Sequence, residues 1–170
     1  RHYPYSELTS HILGYVSYVT KDDFKNDSDP LLEVPDFRIG RKGIEKMFEK
    51  ELRGKGGSLK LEVNAYGRIM QEIEIIDGIP GDDINLSIDV RLQKKAHELF
   101  GDESGAAIVI DIKTGEILSF SSFPAFDPNL FIQGISTKDW DELQKNEKKP
   151  LTNKALSGQY SPGSTFKMIV

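Results

Sequence analysis

The sequence predicts an α+β chain in which a β-rich N-terminal part is followed by a helix, a β-hairpin and a second helix. Three stretches carry that prediction. Residues 59–66 alternate apolar and polar side chains, with Leu59, Leu61, Val63 and Ala65 on one face and Lys60, Glu62 and Asn64 on the other, as a half-buried strand requires. Residues 90–100 place Leu92, Ala96, Leu99 and Phe100 at helical spacing behind Asp89, a good N-cap. Residues 106–120 read as strand, turn and returning strand around Lys113-Thr114-Gly115.

The remaining elements follow in order. After the turn at Tyr3-Pro4, Ile12 to Val16 reads as a short strand, and the charged residues 20–36, with Asp29-Pro30 and Val34-Pro35, read as a surface loop with one helical turn. Ile44, Phe48 and Leu52, spaced by four, predict a helix of about three turns that stops at Gly54 and Gly56-Gly57. Tyr66-Gly67-Arg68 turns strand 59–66 into a second strand, 69–76. The cluster 77–82 is a turn and a domain boundary, and Ile84, Leu86 and Ile88 alternate as another strand. Thr137 to Lys145 is a helix with Trp140 and Leu143 inward. The domains expected are 1–86 and 87–170.

The 170 residues suit one or two domains, and 38% hydrophobic composition is enough for a core. A net charge of −5 gives nucleic-acid binding no support, since such proteins show a basic patch. Without cysteine there is no disulfide and no thiolate metal site, and His2, His11 and His97 are too scattered to suggest a metal. No apolar run approaches the roughly 18 residues that span a bilayer. The chain opens at Arg1 without methionine or leader and stops three residues after Lys167, so both ends read as cut.

Chemistry is concentrated in Tyr160-Ser161-Pro162-Gly163-Ser164-Thr165-Phe166-Lys167. Ser161 suits an N-cap and Pro162 a first helical residue, and the apolar Met168-Ile169-Val170 lets the helix continue into a core. Ser164 then lies in the first turn, where free N–H groups favour developing negative charge, and Lys167 shares its face. Serine is a weak nucleophile until a base takes its proton, and a lysine with a pKa depressed by burial is such a base. At this composition the bare S-x-x-K spacing arises about once by chance, so spacing alone indicates only a surface serine and lysine. The Pro-Gly entry and the apolar run behind it distinguish this site.

The whole string resembles the nucleophile motif of penicillin-binding proteins, whose signature joins S-x-x-K with S-x-N and K-T-G motifs. Lys113-Thr114-Gly115 spells the last of these but precedes the serine in a hairpin turn, where Gly115 supplies the left-handed residue. The resemblance extends through most of the chain. Ser87–Gln93, Ala107–Asp111, Thr114–Leu118, Phe123–Asn129 and Pro150–Ala155 are similar to the opening of the transpeptidase domain. Arg1-x-Tyr3-Pro4, His11–Val16, Gly40-x-x-Gly43-Ile44-Glu45 and Leu52-Arg53-Gly54-x-x-Gly57 are similar to the pedestal, or dimerisation, domain of class B members. Asp127–Phe131 with Gly134–Ser136 looks most like the elongation type, the septal type being a close second. The glycines are read as backbone requirements, Asp127 and Asn129 as loop-ordering residues, and Tyr160 as lining the site or packing beside it.

The resemblance implies a peptidoglycan D,D-transpeptidase with Ser164 as acylated nucleophile and Lys167 as general base. It acts on stem peptides, takes β-lactams as substrate mimics and needs no cofactor or metal. It implies the periplasmic face of a bacterial inner membrane, an anchor upstream, and elongation-complex partners that include a SEDS-family glycosyltransferase and a rod-complex scaffold; a homodimer is also open. The S-x-N motif and the functional K-T-G strand are not within these residues, so the 170-residue chain alone is expected to be inactive. Two alternatives stay open: a β-lactamase or β-lactam sensor of the same superfamily, and a non-catalytic dimerisation or partner-binding module.

Overall fold

The computed structural model describes residues 1–170 except Asn26, Pro162, Val170 and the side chains of Thr165 and Met168. Helices and strands mix as α+β, and the chain divides into two compact units. One comprises Arg1, Leu13–Leu86 and Phe131–Gly134; the other comprises His2–Ile12, Ser87–Leu130 and Ile135–Val170.

In the first unit, β1 (Val16–Tyr18) pairs antiparallel with β2 (Arg38–Gly40), and Val16, Ile39 and Leu32 are buried. Arg41 ties the connecting loop to β1. Its guanidinium grips both carboxylate oxygens of Asp23 (2.7 and 2.9 Å) and donates to Tyr18 O (2.6 Å). The expected strand 12–16 is met only at Val16, the start of β1; Ile12 and Leu13 close a short helix, α1 (Ser10–Leu13), and a break follows at Gly14. Gly14 has φ +77°, and a Cβ there would sit 1.9 Å from Lys42 O, so close backbone packing overrides the β-formers around it.

The single helix expected over 44–52 is two, α2 (Gly43–Met47) and α3 (Glu49–Arg53), broken where Phe48 leaves helical geometry at φ −110°, ψ 31°. Buried Arg53 anchors this corner among Glu49 (2.6 Å), Asp27 (2.8 Å) and Asp29 (3.1 Å). Gly54 ends α3 at φ +72°, and Lys55 then exchanges backbone hydrogen bonds with Ile79.

The hairpin β3 (Ser58–Val63) and β4 (Ile69–Ile76) forms as expected, with Leu59 opposite Ile75 and Val63 opposite Ile69. Its face is not half-buried: Leu59, Val63, Ile69, Ile73 and Ile75 are all at least 52% exposed, because the sheet has two strands and, among the described residues, no element covers it.

In the second unit, α4 (Val90–Phe100) starts at Asp89, whose carboxylate accepts from Arg91 N (2.8 Å). Residues 84–88 are not a strand; Ser87 Oγ donates to Ile117 O (2.8 Å), and just beyond them Asp89 N donates to Leu118 O (2.8 Å). β5 (Gly105–Ile110) and β6 (Ile117–Phe123) form the expected hairpin. Lys113-Thr114-Gly115 is its turn, with Asp111 accepting from Lys113 N (2.7 Å) and Gly115 at φ +79°. The inward stripe of α4 is only partly the one anticipated: Ala96 and Phe100 are half-buried as expected, but Leu92 is exposed. Leu99 is exposed as well, while Gln93 is buried and His97 and Phe100 pack on Phe123. Burial lowers the pKa of His97 and so favours its neutral form. The helix α5 (Thr137–Lys145) has its expected bounds behind Ser136, which accepts from Asp139 N (3.1 Å), and Trp140 lies at its margin rather than in the core. A last short helix, α6 (Lys154–Ser157), precedes a 3₁₀ helix over Gly163–Met168.

Candidate active site

The segment that carries Ser164 and Lys167 is fixed from its N-terminal side. Ser122, 2% exposed on β6, accepts from Lys154 N (2.9 Å) and donates to Thr152 O (3.3 Å). Asn153 caps α6 by accepting from Leu156 N (3.3 Å), and its amide donates to His11 O (3.0 Å). Gly158 closes α6 through Lys154 O (2.9 Å).

The bond from Asn153 to His11 O belongs to a pattern. Three side-chain amides grip the backbone of residues 2–12. Asn129 accepts from Tyr3 N (2.9 Å) and donates to Tyr3 O (3.1 Å), Gln93 donates to Leu8 O (2.7 Å), and Asn153 takes His11 O. Asp127 orients Asn129 by accepting from its amide (2.9 Å) and its backbone N (2.8 Å), the loop-ordering role expected of this pair. Gln93 and Asn153 gave no pattern signal as clamps. Asn before a short apolar helix marks a cap, but its second bond to a residue 142 positions away is invisible in sequence.

Beyond α6 lies an open cleft of about 530 Å³ between Phe100, Ala106 and Ile108 on one side and Lys154, Ala155 and Tyr160 on the other. Tyr160 thus lines a cavity while remaining largely exposed. The ammonium of Lys154 donates to Lys149 O (3.2 Å), and burial lowers its pKa.

Ser164 and Lys167 both fall in the 3₁₀ helix Gly163–Met168. In 3₁₀ geometry residues i and i+3 eclipse, so the two share a face. Both are exposed, and no hydrogen bond joins them among the described residues. The burial expected of Lys167 is therefore not seen among the described residues, where its side chain is exposed. Pro162 and Val170, the expected first helical residue and apolar continuation, lie outside the described residues. The turn places the Ser164 hydroxyl and the Lys167 side chain on one face, and activation of the serine requires the lysine as its neutral amine.

Comparison with known proteins gives this geometry a family. Residues 1–86 match the penicillin-binding protein dimerisation domain and residues 105–170 match the penicillin-binding protein transpeptidase domain. The chain is 37% identical over its whole length to peptidoglycan D,D-transpeptidase MrdA of Escherichia coli strain K12, of which it covers 27%, and 38% identical over 98% of its length to MrdA of Acinetobacter baumannii, of which it covers 25%. Among solved structures it superposes on PBP2 of Helicobacter pylori in a complex with MreC at TM-score 0.88 and 37% identity, covering 98% of this chain and 31% of that one. PBP2 of Pseudomonas aeruginosa in complex with WCK 5153 gives 0.81 and 40%, covering 98% and 33%. The chain thus spans about a quarter of the length of the curated relatives. With its first 86 residues and its last 66 matched to the two domains, the chain belongs to the penicillin-binding protein family, its relatives there being peptidoglycan D,D-transpeptidases of the PBP2 type.

Proposed function

We propose that the chain is part of a cell-wall elongation transpeptidase that cross-links peptidoglycan stem peptides through an acyl-enzyme on Ser164. Lys167 takes the Ser164 proton as the hydroxyl attacks the D-Ala-D-Ala carbonyl, and the terminal D-Ala leaves with a proton. The amine of a second stem then attacks the acyl-enzyme and frees Ser164. A β-lactam enters by the same attack, its ring opening in place of a leaving group. The observation that carries this reading is the Ser164–Lys167 pair on one face of a helical turn, within a segment matched to the transpeptidase domain. The developing oxyanion needs preorganised donors, and the other family motifs are not within these residues.

Residues 1–86 are the pedestal and 87–170 the start of the catalytic domain in this reading, with the catalytic face in the periplasm against the inner membrane. The bare apolar face of β3 and β4 favours a partner-binding role for the pedestal as well. A rod-complex scaffold such as MreC, a SEDS-family glycosyltransferase and a second copy of the chain are its candidate occupants.

Labelling with a fluorescent penicillin tests the reading. The full-length protein should be labelled and retain the label, Ser164→Ala should abolish it, and the 170-residue chain should remain unlabelled. Prompt release of the hydrolysed drug would make the protein a β-lactamase instead.

A further inference from the structure

We propose that Asn153 is a positioning residue for Ser164: its side-chain amide locks the start of the Ser164-bearing segment onto residues 2–12. The proposal rests on the reading of Ser164 as the acylated residue.

Two anchors hold this segment. Ser122 fixes the backbone of Lys154 to β6, and Asn153 fixes the other side of the same turn by donating to His11 O (3.0 Å). The second oxygen-bearing arm of Asn153 caps α6 at Leu156 N (3.3 Å), so one side chain sets both the helix start and its attachment. Past Gly158, residues 159–161 and Ser164 make no hydrogen bond to the rest of the unit among the described residues. Among the described residues, the last fixed point before Ser164 is therefore α6, which ends at Ser157, seven residues upstream. Residues 2–12 are themselves tied at Tyr3 and Leu8 by the amides of Asn129 and Gln93, so His11 O belongs to a segment held at two further points. A nucleophile displaced by about 1 Å from its attack geometry loses up to about a hundredfold in rate, which gives such an anchor kinetic weight.

Capping and anchoring can be separated. Asn153→Asp keeps an oxygen for Leu156 N, and Asp caps as well as Asn does. It loses the N–H that His11 O accepts and sets a carboxylate oxygen against that carbonyl. In the full-length protein, acylation by a fluorescent penicillin is followed at several drug concentrations, to separate the acylation step from non-covalent affinity. The expected result is an acylation step slowed at least about tenfold in Asn153→Asp, with affinity within about twofold of wild type and a cooperative melt retained. Should that variant fail to melt cooperatively, Asn153→Ser, which also caps but is too short to reach His11 O, is judged by the same criterion. Unchanged acylation, or a loss confined to affinity, overturns the proposal. A wild-type protein that is not labelled at Ser164 overturns the functional reading itself, and this inference with it.

Discussion

Replacing Gln93 by alanine should cost a large fraction of the stability of the second unit. The amide is 1% exposed and makes four bonds: donation to Leu8 O (2.7 Å) and Phe120 O (2.8 Å), and acceptance from Phe120 N (2.9 Å) and Ser119 Oγ (2.9 Å). It satisfies both backbone groups of Phe120, a residue of β6, which pairs with β5 alone, and pins residues 2–12 there as well. Ser119 would keep its contact with Ser121 (3.4 Å), but Leu8 O and the two groups of Phe120 would lose their partners. Each buried group left unsatisfied costs about 1–3 kcal/mol. Water entering the vacated space offsets part of that, so the expected loss is about 3–5 kcal/mol against a typical total of ~5–15. Gln93→Leu, which fills the space but leaves the same groups unpaired, should lose a similar amount. Gln93→Glu adds a sign. Burial between two carbonyls raises its pKa in the folded state, so its stability is present at acid pH and is lost as pH rises through that value. Urea unfolding of the full-length protein followed by circular dichroism measures all three. An alanine variant within about 1 kcal/mol of wild type would refute the reasoning, because three part-buried backbone groups would then be unpaired at no cost.

Other expectations follow from the same geometry. Lys167→Met should slow β-lactam acylation by about 10²–10⁴-fold while leaving the melting temperature nearly unchanged, since the residue is exposed and only proton transfer is removed. Hydrogen bonds from Arg41 are the largest of the effects that hold the Asp23 carboxyl down at about 2, below its unfolded value. The stability it contributes is therefore present above about pH 4 and lost as pH falls toward 2, and Asp23→Asn should flatten that part of an acid titration of folding. Gly54→Ala should destabilise by at least about 1 kcal/mol, because φ is +72° and the new Cβ would lie 2.2 Å from Ile79 O; thermal melting checks it.

Where local chemistry decides the backbone, the sequence was readable. Asp89 and Ser136 start α4 and α5 because a short oxygen-bearing side chain meets the first free N–H groups, and Gly115 turns β5 into β6 because it tolerates positive φ. Where a distant contact decides, it was not. Gly14 packs against the backbone of Lys42, so the apolar run 12–16 is helical up to Leu13 and enters a strand only at Val16. Phe48 interrupts a pattern whose spacing of four promised one helix. Residues 84–88 alternate as a strand should but form none, the backbone bond to Leu118 O coming from Asp89 beyond them. Alternation on β3 and β4 gave the pairing correctly and the burial wrongly, since periodicity says which side chains share a face and nothing about what covers it. The nucleophile motif was legible as a string of residues. Its anchoring was not, because Gln93, Asn129 and Asn153 act across 85, 126 and 142 positions through polar side chains that no hydrophobic pattern marks.

The central claim is that Ser164 forms the acyl-enzyme. Treating the full-length protein with penicillin, digesting it and mapping the adduct by peptide mass tests this most directly. The account predicts one penicilloyl group, on the peptide carrying Ser164, and none in Ser164→Ala. An adduct on any other residue, or one that persists in that variant, would contradict it.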